Sequence, residues 1–196
     1  FERQRETETK AEIQRLLQDR HSRSYYLSIH AGAHIDLGAK GFDTVADVTT
    51  GVMTISCWVK LGALSRAMTL ISMHGENSGE VLGWTLGVSP GEGFYFDVST
   101  EGAAGAAIQR LRALSSKDSL PPSKIHTGTW YFVAVTWGEE SKLWVNGYNI
   151  ARSKGGMIVY QTGKDEAGAG TRNSAGRRLT IGALPDGKEA LTGGID

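Results

Sequence analysis

The amino-acid sequence predicts an all-β sandwich that is preceded by a helical arm. Of its 196 residues, 26 are glycine and 4 are proline, a composition typical of short strands joined by tight turns. With 40% hydrophobic residues, the chain can bury the core of one domain and carry an appendage. Lysine plus arginine and aspartate plus glutamate number 21 each, so no overall charge favours nucleic acid or an anionic membrane surface.

One apolar strand is the clearest element of the sequence. In residues 130–137 (WYFVAVTW), apolar side chains fall on both faces of the strand, as the neighbours Trp130 and Tyr131 show. Because strand side chains alternate between two faces, a strand that is apolar on both has no solvated side. The pattern therefore predicts a central strand that lies between layers.

An Asn-Gly pair after this strand predicts a β-hairpin. A two-residue type I′ turn needs positive φ at both central positions, which Asn146 and Gly147 tolerate at little cost. Leu143 and Val145 are therefore expected to fold back onto residues 148–150.

The same region resembles a known family. The segments WYFVAVT (130–136), KLWVNG (142–147) and IA (150–151) are similar to the central signature of laminin-G-like domains, within the concanavalin-A-like lectins and glucanases. Further segments resemble that family's other strands in the right order, namely VMTISCWVK (52–60), LISM (70–73), GWTLGV (83–88), LTIG (179–182) and TGGID (192–196). The resemblance covers residues 24–196 and implies an antiparallel jelly-roll β-sandwich. One fold hosts many functions, so the resemblance implies less about activity.

Residues 1–23 predict the helical arm. They are rich in charge, contain no glycine or proline, and place glutamate four residues before lysine, an order that stabilises a helix. Their apolar stripe of Ile13, Leu16 and Leu17 is too narrow for a core helix. Two interpretations remain open: a solvated linker or packing helix, and a helix that contacts a neighbouring protein.

The other strands are predicted in order along the chain. Residues 24–30 and 33–37 form the first strands, which the family resemblance places in a short hairpin. Later strands are expected at residues 52–60, 68–74, 81–88 and 94–98. Residues 106–114 fit either an irregular strand or a helix of about two turns, and residues 155–178 form a long insert.

The last strand is expected to be incomplete. In the family that the chain resembles, the Gly-Gly-Ile-Asp motif opens a strand that continues and pairs beside the first strand, whereas this sequence stops at Asp196. A sandwich truncated in this strand exposes an unpaired edge, which favours association with other chains. We therefore expect the isolated chain to be poorly soluble or oligomeric.

The cysteine content and the absence of glycosylation sites give indications of the cellular compartment. Cys57 is the only cysteine, so an internal disulfide is excluded, and it is expected to be a small core residue. The sequence contains no Asn-x-Ser/Thr sequon. Both features favour a non-glycosylated or intracellular setting, whereas the resemblance implies an extracellular or cell-surface one. No apolar run approaches the ~20 residues that span a bilayer, so no membrane span is predicted.

The sequence offers no recognisable catalytic site. A retaining glucanase needs two carboxyl groups roughly 5 to 5.5 Å apart, which on one strand means acids at positions i and i+2. No predicted strand has that spacing, and Asp97 and Glu101 are four residues apart. HExxH, CxxC and phosphate-loop motifs do not occur either. We therefore expect that the protein is not an enzyme.

Calcium is the one cofactor that the resemblance implies. Laminin-G-like folds often bind calcium through loop carboxylates and backbone carbonyls, which are ligands that hard cations favour. Asp196 matches the aspartate of the family's closing motif and is the candidate metal ligand. The alternative is that Asp196 hydrogen-bonds to nearby backbone where the fold closes.

The sequence thus predicts a non-catalytic module, within a larger protein, that recognises a glycan or a protein partner, with calcium as a candidate aid. Its binding surface is expected in the turns at residues 75–79 and 89–93 and in the insert, because neighbouring turns collect at the ends of a sandwich. Glu76, Asn77 and Arg172 are the candidate ligand-binding residues. The first alternative is a structural scaffold or assembly domain without a small ligand, and the second is a glycoside-hydrolase-like enzyme.

Overall fold

The computed structural model describes residues 27–29, 33–37, 52–75, 83–102, 105–112, 125–155 and 177–196. The predicted arm, the candidate residues Glu76, Asn77 and Arg172, and most of the predicted insert lie outside these ranges. The described strands are β1 (Leu27–Ile29), β2 (Ile35–Asp36), β3 (Met53–Leu61), β4 (Met68–Gly75), β5 (Gly83–Ser89), β6 (Gly93–Gly102), β7 (Gly105–Arg112), β8 (Trp130–Trp137), β9 (Glu140–Val145), β10 (Tyr148–Lys154), β11 (Arg177–Ile181) and β12 (Gly193–Ile195).

Within the described residues, these strands form two six-stranded antiparallel sheets. Sheet 1 has the order β1-β12-β3-β8-β9-β10 and sheet 2 has the order β2-β11-β4-β5-β6-β7. The predicted all-β sandwich is therefore confirmed. The segment that fitted either a strand or a helix is β7, which pairs with β6 along its whole length.

The core lies between the inner faces of the two sheets. Trp137 from sheet 1 and Phe94 and Phe96 from sheet 2 are among the largest fully buried side chains. The ring centroids of Phe96 and Trp137 lie 5.7 Å apart, and those of Phe94 and Tyr131 lie 5.5 Å apart. Contacts between tilted aromatic rings at such distances are favourable beyond simple burial. These aromatic pairs therefore join β8 to β6 across the sandwich.

Strand β8 occupies an interior position in sheet 1, as predicted, but only one of its faces belongs to the core. Tyr131, Val133, Val135 and Trp137 are buried, whereas the alternate residues from Trp130 to Thr136 are half-buried. The expectation that both faces lie between layers was wrong. The outer apolar residues instead pack beside neighbours in the same sheet, and the centroids of Trp58 and Phe132 lie 5.3 Å apart.

The hairpin between β9 and β10 is confirmed. Asn146 and Gly147 have φ values of 51° and 80°, and Val145 pairs with Tyr148. A regular ladder would continue with Leu143 opposite Ile150, but a bulge shifts the register so that Leu143 lies opposite Ala151.

The first two strands do not form a hairpin with each other. Strand β1 pairs with β12 in sheet 1, and β2 pairs with β11 in sheet 2. Strand β12 offers an edge in sheet 1 and β11 offers one in sheet 2, so β1 and β2 add to different sheets. The family-based expectation of a hairpin was therefore wrong for the residues that the structure describes.

The closing motif forms β12 between β1 and β3. Gly193 has φ of 153°, and a Cβ added there would lie 2.0 Å from the carbonyl oxygen of Lys60, so no larger residue fits. The backbone of Asp196 exchanges two hydrogen bonds with Trp58, at 2.7 and 2.9 Å. Whether the isolated chain associates through an unpaired edge stays a prediction.

Cys57 lies in the core, as expected. It is 4% exposed on β3, and burial raises the pKa of its thiol to about 12. The thiol therefore remains protonated at neutral pH and behaves as a small apolar side chain.

Candidate functional site

The outer face of sheet 2 carries a continuous row of polar residues. Strand pairing places one residue from each of the six strands in register, in the order Asp36, Thr180, Ser72, Thr85, Asp97 and Arg110. The residues between them along each strand point toward the core, because strand side chains alternate. A charged residue therefore stands at each end of a row whose middle positions carry hydroxyl groups.

The middle of the row is buried and satisfied within the protein. The hydroxyl groups of Ser72 and Thr180 lie 2.7 Å apart, and Thr180 donates to the carbonyl oxygen of Ala183 at 2.7 Å. His74 Nε2 lies 2.9 Å from the hydroxyl oxygen of Thr85. Buried hydroxyl groups need such partners, and these already have them. The middle of the row therefore supports the sheet and is not the part that is open to a ligand.

The open part lies on β6, on β7 and in the turn before β6, where two arginines and two carboxylates meet. We call Glu92, Tyr95, Asp97, Arg110 and Arg112 the arginine cluster. Arg110 donates to Asp97 through Nε at 2.6 Å and Nη2 at 2.5 Å, and to Glu92 through Nη1 at 2.9 Å. Arg112 donates to the other oxygen of Glu92. The hydrogen bond to Asp97 is the main cause that raises the pKa of Arg110 above its usual value.

Three charged side chains of the arginine cluster are accessible, whereas Tyr95 is buried. Arg110 and Arg112 expose 41% and 55% of their side chains, and Glu92 exposes 31%. Surface ion pairs of this kind contribute little to stability, typically about 0 to 1 kcal/mol. Their clearer effect is to hold the guanidinium and carboxylate groups in fixed positions at the surface.

The side chain of Tyr95 contacts Arg110 and links the arginine cluster to Glu189. Its ring lies against Gly87, and the guanidinium carbon of Arg110 lies 5.1 Å from the ring centroid. The phenol donates to Oε2 of Glu189 at 3.3 Å, and the hydroxyl of Thr69 donates to the same atom at 3.3 Å. Burial, followed by the charge of Glu189, raises the pKa of Tyr95. Tyr95 is thus a protonated donor whose ring orients Arg110 and is not free for stacking.

The chemistry of the cluster is balanced between donors and acceptors. Two guanidinium groups oppose two carboxylates, so the formal charge of these four side chains sums to zero. Arg112 retains N–H groups beyond the one bonded to Glu92, and the carboxylates retain lone pairs. Such a surface suits ligand groups that both donate and accept, as hydroxyl groups do.

The sequence-based candidates have different outcomes at this surface. Glu76, Asn77 and Arg172 lie outside the described residues, so their placement stays a prediction. The predicted turn at residues 89–93 is described, and it contributes Glu92 to the cluster. Tyr95, Asp97, Arg110 and Arg112 were not predicted. A signal was present on β6, where FYFDV alternates between core and polar face.

Asp196 is exposed at the end of β12, and its backbone pairs with Trp58. In the described part of the chain, no group of three or more His, Cys, Asp or Glu side chains could hold a metal ion. Calcium binding at Asp196 therefore stays a prediction.

The described residues also include no helix that is long and apolar enough to cross a bilayer.

Comparison with known proteins places this fold in a family. The sequence profile of Laminin_G_3, described as the concanavalin A-like lectin/glucanases superfamily, matches residues 32–196. The chain belongs to this family. The family therefore accounts for the whole sandwich from β2 onward, and for nearly all of the region in which the sequence resemblance was found. No curated protein matches the chain in sequence.

Solved structures similar to this laminin-G-like chain include modules of sialidases. The Ruminococcus gnavus IT-sialidase CBM40, bound to alpha2,3 sialyllactose, matches with a TM-score of 0.61 and 14% identity over 88% of this chain and 86% of that one. The leech intramolecular trans-sialidase matches with a TM-score of 0.59 and 13% identity over 87% of this chain and 24% of that one. At this identity the likeness shows a shared fold.

Proposed function

We propose that this laminin-G-like domain is a non-catalytic module that binds a glycan at the arginine cluster. The observation that carries the proposal is the fixed, charge-balanced set of donors and acceptors on β6, β7 and the turn before β6. Arg110 is held by three hydrogen bonds and by the ring of Tyr95, so it needs little further ordering when a ligand arrives. Groups that are already ordered lose less entropy on binding, which favours affinity.

A glycan fits this surface better than an anion or an apolar ligand. Each sugar hydroxyl can donate to a carboxylate and accept from a guanidinium, whereas an anion would meet Glu92 and Asp97 as well as the arginines. Family membership points to the same class, since the superfamily is described by its lectins and glucanases. The sialidase module described above supports only the broad class of a glycan, because its sialyllactose carries a carboxylate that the charge-balanced cluster does not favour.

The cluster supports binding rather than hydrolysis. Asp97 and Glu92 both accept hydrogen bonds from Arg110, so their oxygens serve as oriented acceptors. A glycoside hydrolase of the common types needs one carboxylic acid that gives its proton to the leaving oxygen. Nothing about Asp97 or Glu92, each held by arginine, suits that step.

A glycan array with matched variants tests the proposal. We expect the wild-type domain to retain particular glycans, and Arg110→Gln and Asp97→Asn to reduce that binding by at least about tenfold, the cost of losing a hydrogen bond to a charged group. Lys188→Gln is the control, because Lys188 forms an exposed ion pair with Asp186 away from the cluster. Running the array with and without calcium tests the predicted cofactor. Equal glycan binding by Arg110→Gln and wild type, with unchanged melting, would reject the site.

A scaffold role is the second candidate, and the outer face of sheet 1 favours it. Trp58, Trp130, Phe132 and Trp144 are half-buried on neighbouring positions of β3, β8 and β9. Large aromatic side chains are enriched where proteins contact each other. Sedimentation of the domain at increasing concentration tests self-association. A domain that binds no glycan but forms a defined oligomer would favour the scaffold.

A further inference from the structure

A cavity of about 430 Å³ opens on the outer face of sheet 1, on the opposite side of the sandwich from the arginine cluster. Its size lies toward the small end of the range for small-molecule sites, roughly 300 to 1,000 Å³. The described residues that supply its polar lining are Ser28, Lys60, Thr127 and Thr192, with Gly62 and Gly194 beside them.

A register row explains why the sheet is hollow here. Ser28 on β1 lies opposite Gly194 on β12, which lies opposite Lys60 on β3. Because Gly194 has no side chain, the position between Ser28 and Lys60 in this row is not filled by a side chain. Trp130 on β8 is the next residue of the row, beside Lys60. The cavity floor is therefore rigid sheet rather than loop.

Backbone hydrogen bonds fix the mouth of the cavity. The N–H of Gly128 donates to the carbonyl oxygen of Leu61 at 2.8 Å, and the N–H of Gly62 donates to that of Thr192 at 2.7 Å. These bonds tie the turn before β8 and the segment before β12 to the end of β3. Thr127 and Thr192 are thereby held beside the cavity.

The polar groups of the cavity have no partner among the described residues. Lys60 is half-buried, yet no described carboxylate pairs with its ammonium group, and the hydroxyls of Ser28, Thr127 and Thr192 make no described side-chain hydrogen bond. The described lining includes no acidic residue. Asp196 lies two residues beyond Gly194, opposite Trp58, and does not line the cavity. The described part of the lining thus carries a positive charge on Lys60 and three hydroxyl groups that have no described side-chain partner.

We propose that this cavity is a second binding site, specific for a small hydroxylated carboxylate such as a uronic acid unit. Lys60 pairs with the carboxylate, because a lone ammonium matches a single negative charge. The three hydroxyls of Ser28, Thr127 and Thr192 bind the ligand's own hydroxyl groups, since each can donate or accept. This chemistry differs from that of the arginine cluster, where guanidinium and carboxylate charges cancel. The two sites are therefore separable by the charge of the sugar.

Calorimetric titration of the domain with glucuronate and with glucose tests the proposal. The two sugars share a ring and differ in the carboxylate, so we expect glucuronate to bind the wild type at least about tenfold more tightly. Lys60→Gln should bring glucuronate down to the affinity of glucose, while Lys60→Arg should keep part of the preference. Lys142→Gln is the matched control, because Lys142 lies on the same sheet but is paired with Glu140.

Two further variants make the outcome decisive. Thr127→Val changes an exposed turn residue and should weaken glucuronate severalfold without changing the melting temperature. Arg110→Gln, measured beside it, shows whether glucuronate binds at the arginine cluster instead. The proposal is overturned if the wild type does not bind glucuronate at millimolar concentration, if glucose binds equally well, or if Lys60→Gln has no effect. Loss of glucuronate binding in Arg110→Gln alone would assign the ligand to the arginine cluster and leave the glycan-binding proposal standing.

Discussion

The ring of Tyr95 lies directly over Gly87 of the neighbouring strand. A Cβ atom added at Gly87 would lie 2.5 Å from Cζ and from the hydroxyl oxygen of Tyr95, and 2.9 Å from the carbonyl oxygen of Met68. Gly87 therefore leaves the space through which the Tyr95 hydroxyl reaches Glu189. Arg110 packs on the Tyr95 ring, with its guanidinium carbon 5.1 Å from the ring centroid, so its orientation depends on this glycine.

We predict that Gly87→Ala destabilises the domain and weakens the arginine cluster. The added methyl group forces either the ring or the β5 backbone to move, at a cost of about 1 to 3 kcal/mol, as for other overpacked sites. Gly91→Ala is the control, because a Cβ there meets nothing within 4 Å. Urea denaturation of both variants measures the difference. Equal stability of Gly87→Ala and Gly91→Ala would show that Tyr95 does not rest on this glycine.

Trp137 and Trp130 should differ in their contribution to stability. Trp137 is 1% exposed and contacts Phe96 across the core, whereas Trp130 is half-buried on the outer face of the same strand. We expect Trp137→Ala to cost roughly 3 to 5 kcal/mol, the usual range for a buried large aromatic, and Trp130→Ala to cost distinctly less. Chemical denaturation of both variants checks the order. A larger loss for Trp130→Ala would mean that the outer face is the better packed one.

Asn146 is predicted to stabilise the hairpin in two separable ways. Its φ of 51° suits the type I′ turn, and its side-chain oxygen accepts a hydrogen bond from the N–H of Phe132 at 2.8 Å. Asn146→Gly keeps the turn geometry and loses the hydrogen bond, whereas Asn146→Ala loses both. We expect losses of about 1 kcal/mol for the glycine variant and about 2 kcal/mol for alanine. Thermal melting in which alanine is tolerated better than glycine would contradict this order.

Local patterns predicted most of the strands, and the turn, from sequence. The alternation of WYFVAVTW and the Asn146-Gly147 pair are short-range signals, so β8 and the hairpin could be found without knowledge of the rest of the chain. The burial of the two faces of β8 could not be predicted in this way, because the sequence does not show which face meets the second sheet. The outer face of β8, which carries Trp130, is half-buried because its apolar side chains pack against those of neighbouring strands in the same sheet. Which strands are neighbours depends on the strand order, which the sequence does not show.

The two candidate sites depend on long-range pairing and were missed for that reason. Arg110 belongs to a segment without a clean alternation, and its partner Asp97 is known only once β7 is paired with β6. The cavity beside Lys60 depends on Gly194, which the fold brings next to β3 from the far end of the chain. Whether a carboxylate lies near the ammonium group of Lys60 likewise depends on the tertiary structure and cannot be read from the sequence. Alternation on β6 could have identified Asp97 as an outward residue, but not what it contacts.

Stability should fall as the pH rises above about 9, because two buried groups hold their protons more tightly in the native state. The thiol of Cys57 has an ordinary pKa of 9.0, which burial raises to about 12, and the pKa of Tyr95 is raised above its ordinary 10.0. Between the ordinary and the raised value, the unfolded chain releases a proton that the native protein keeps. Each group therefore lowers the free energy of unfolding by at most about 1.4 kcal/mol per pH unit in that window, and contributes no loss below it.

Cys57→Ala and Tyr95→Phe separate these two contributions. Both variants cost some stability at pH 7, so the comparison uses the slope of stability against pH and not its absolute value. Urea denaturation at several pH values from 7 to 11 should give a shallower decline for Cys57→Ala from about pH 9 and for Tyr95→Phe from about pH 10. Other groups titrate identically in all three proteins, so they cancel from the difference. If all three slopes coincide, neither the thiol nor the phenol is held protonated by the fold, and Tyr95 would not be the fixed donor to Glu189 that orients the arginine cluster.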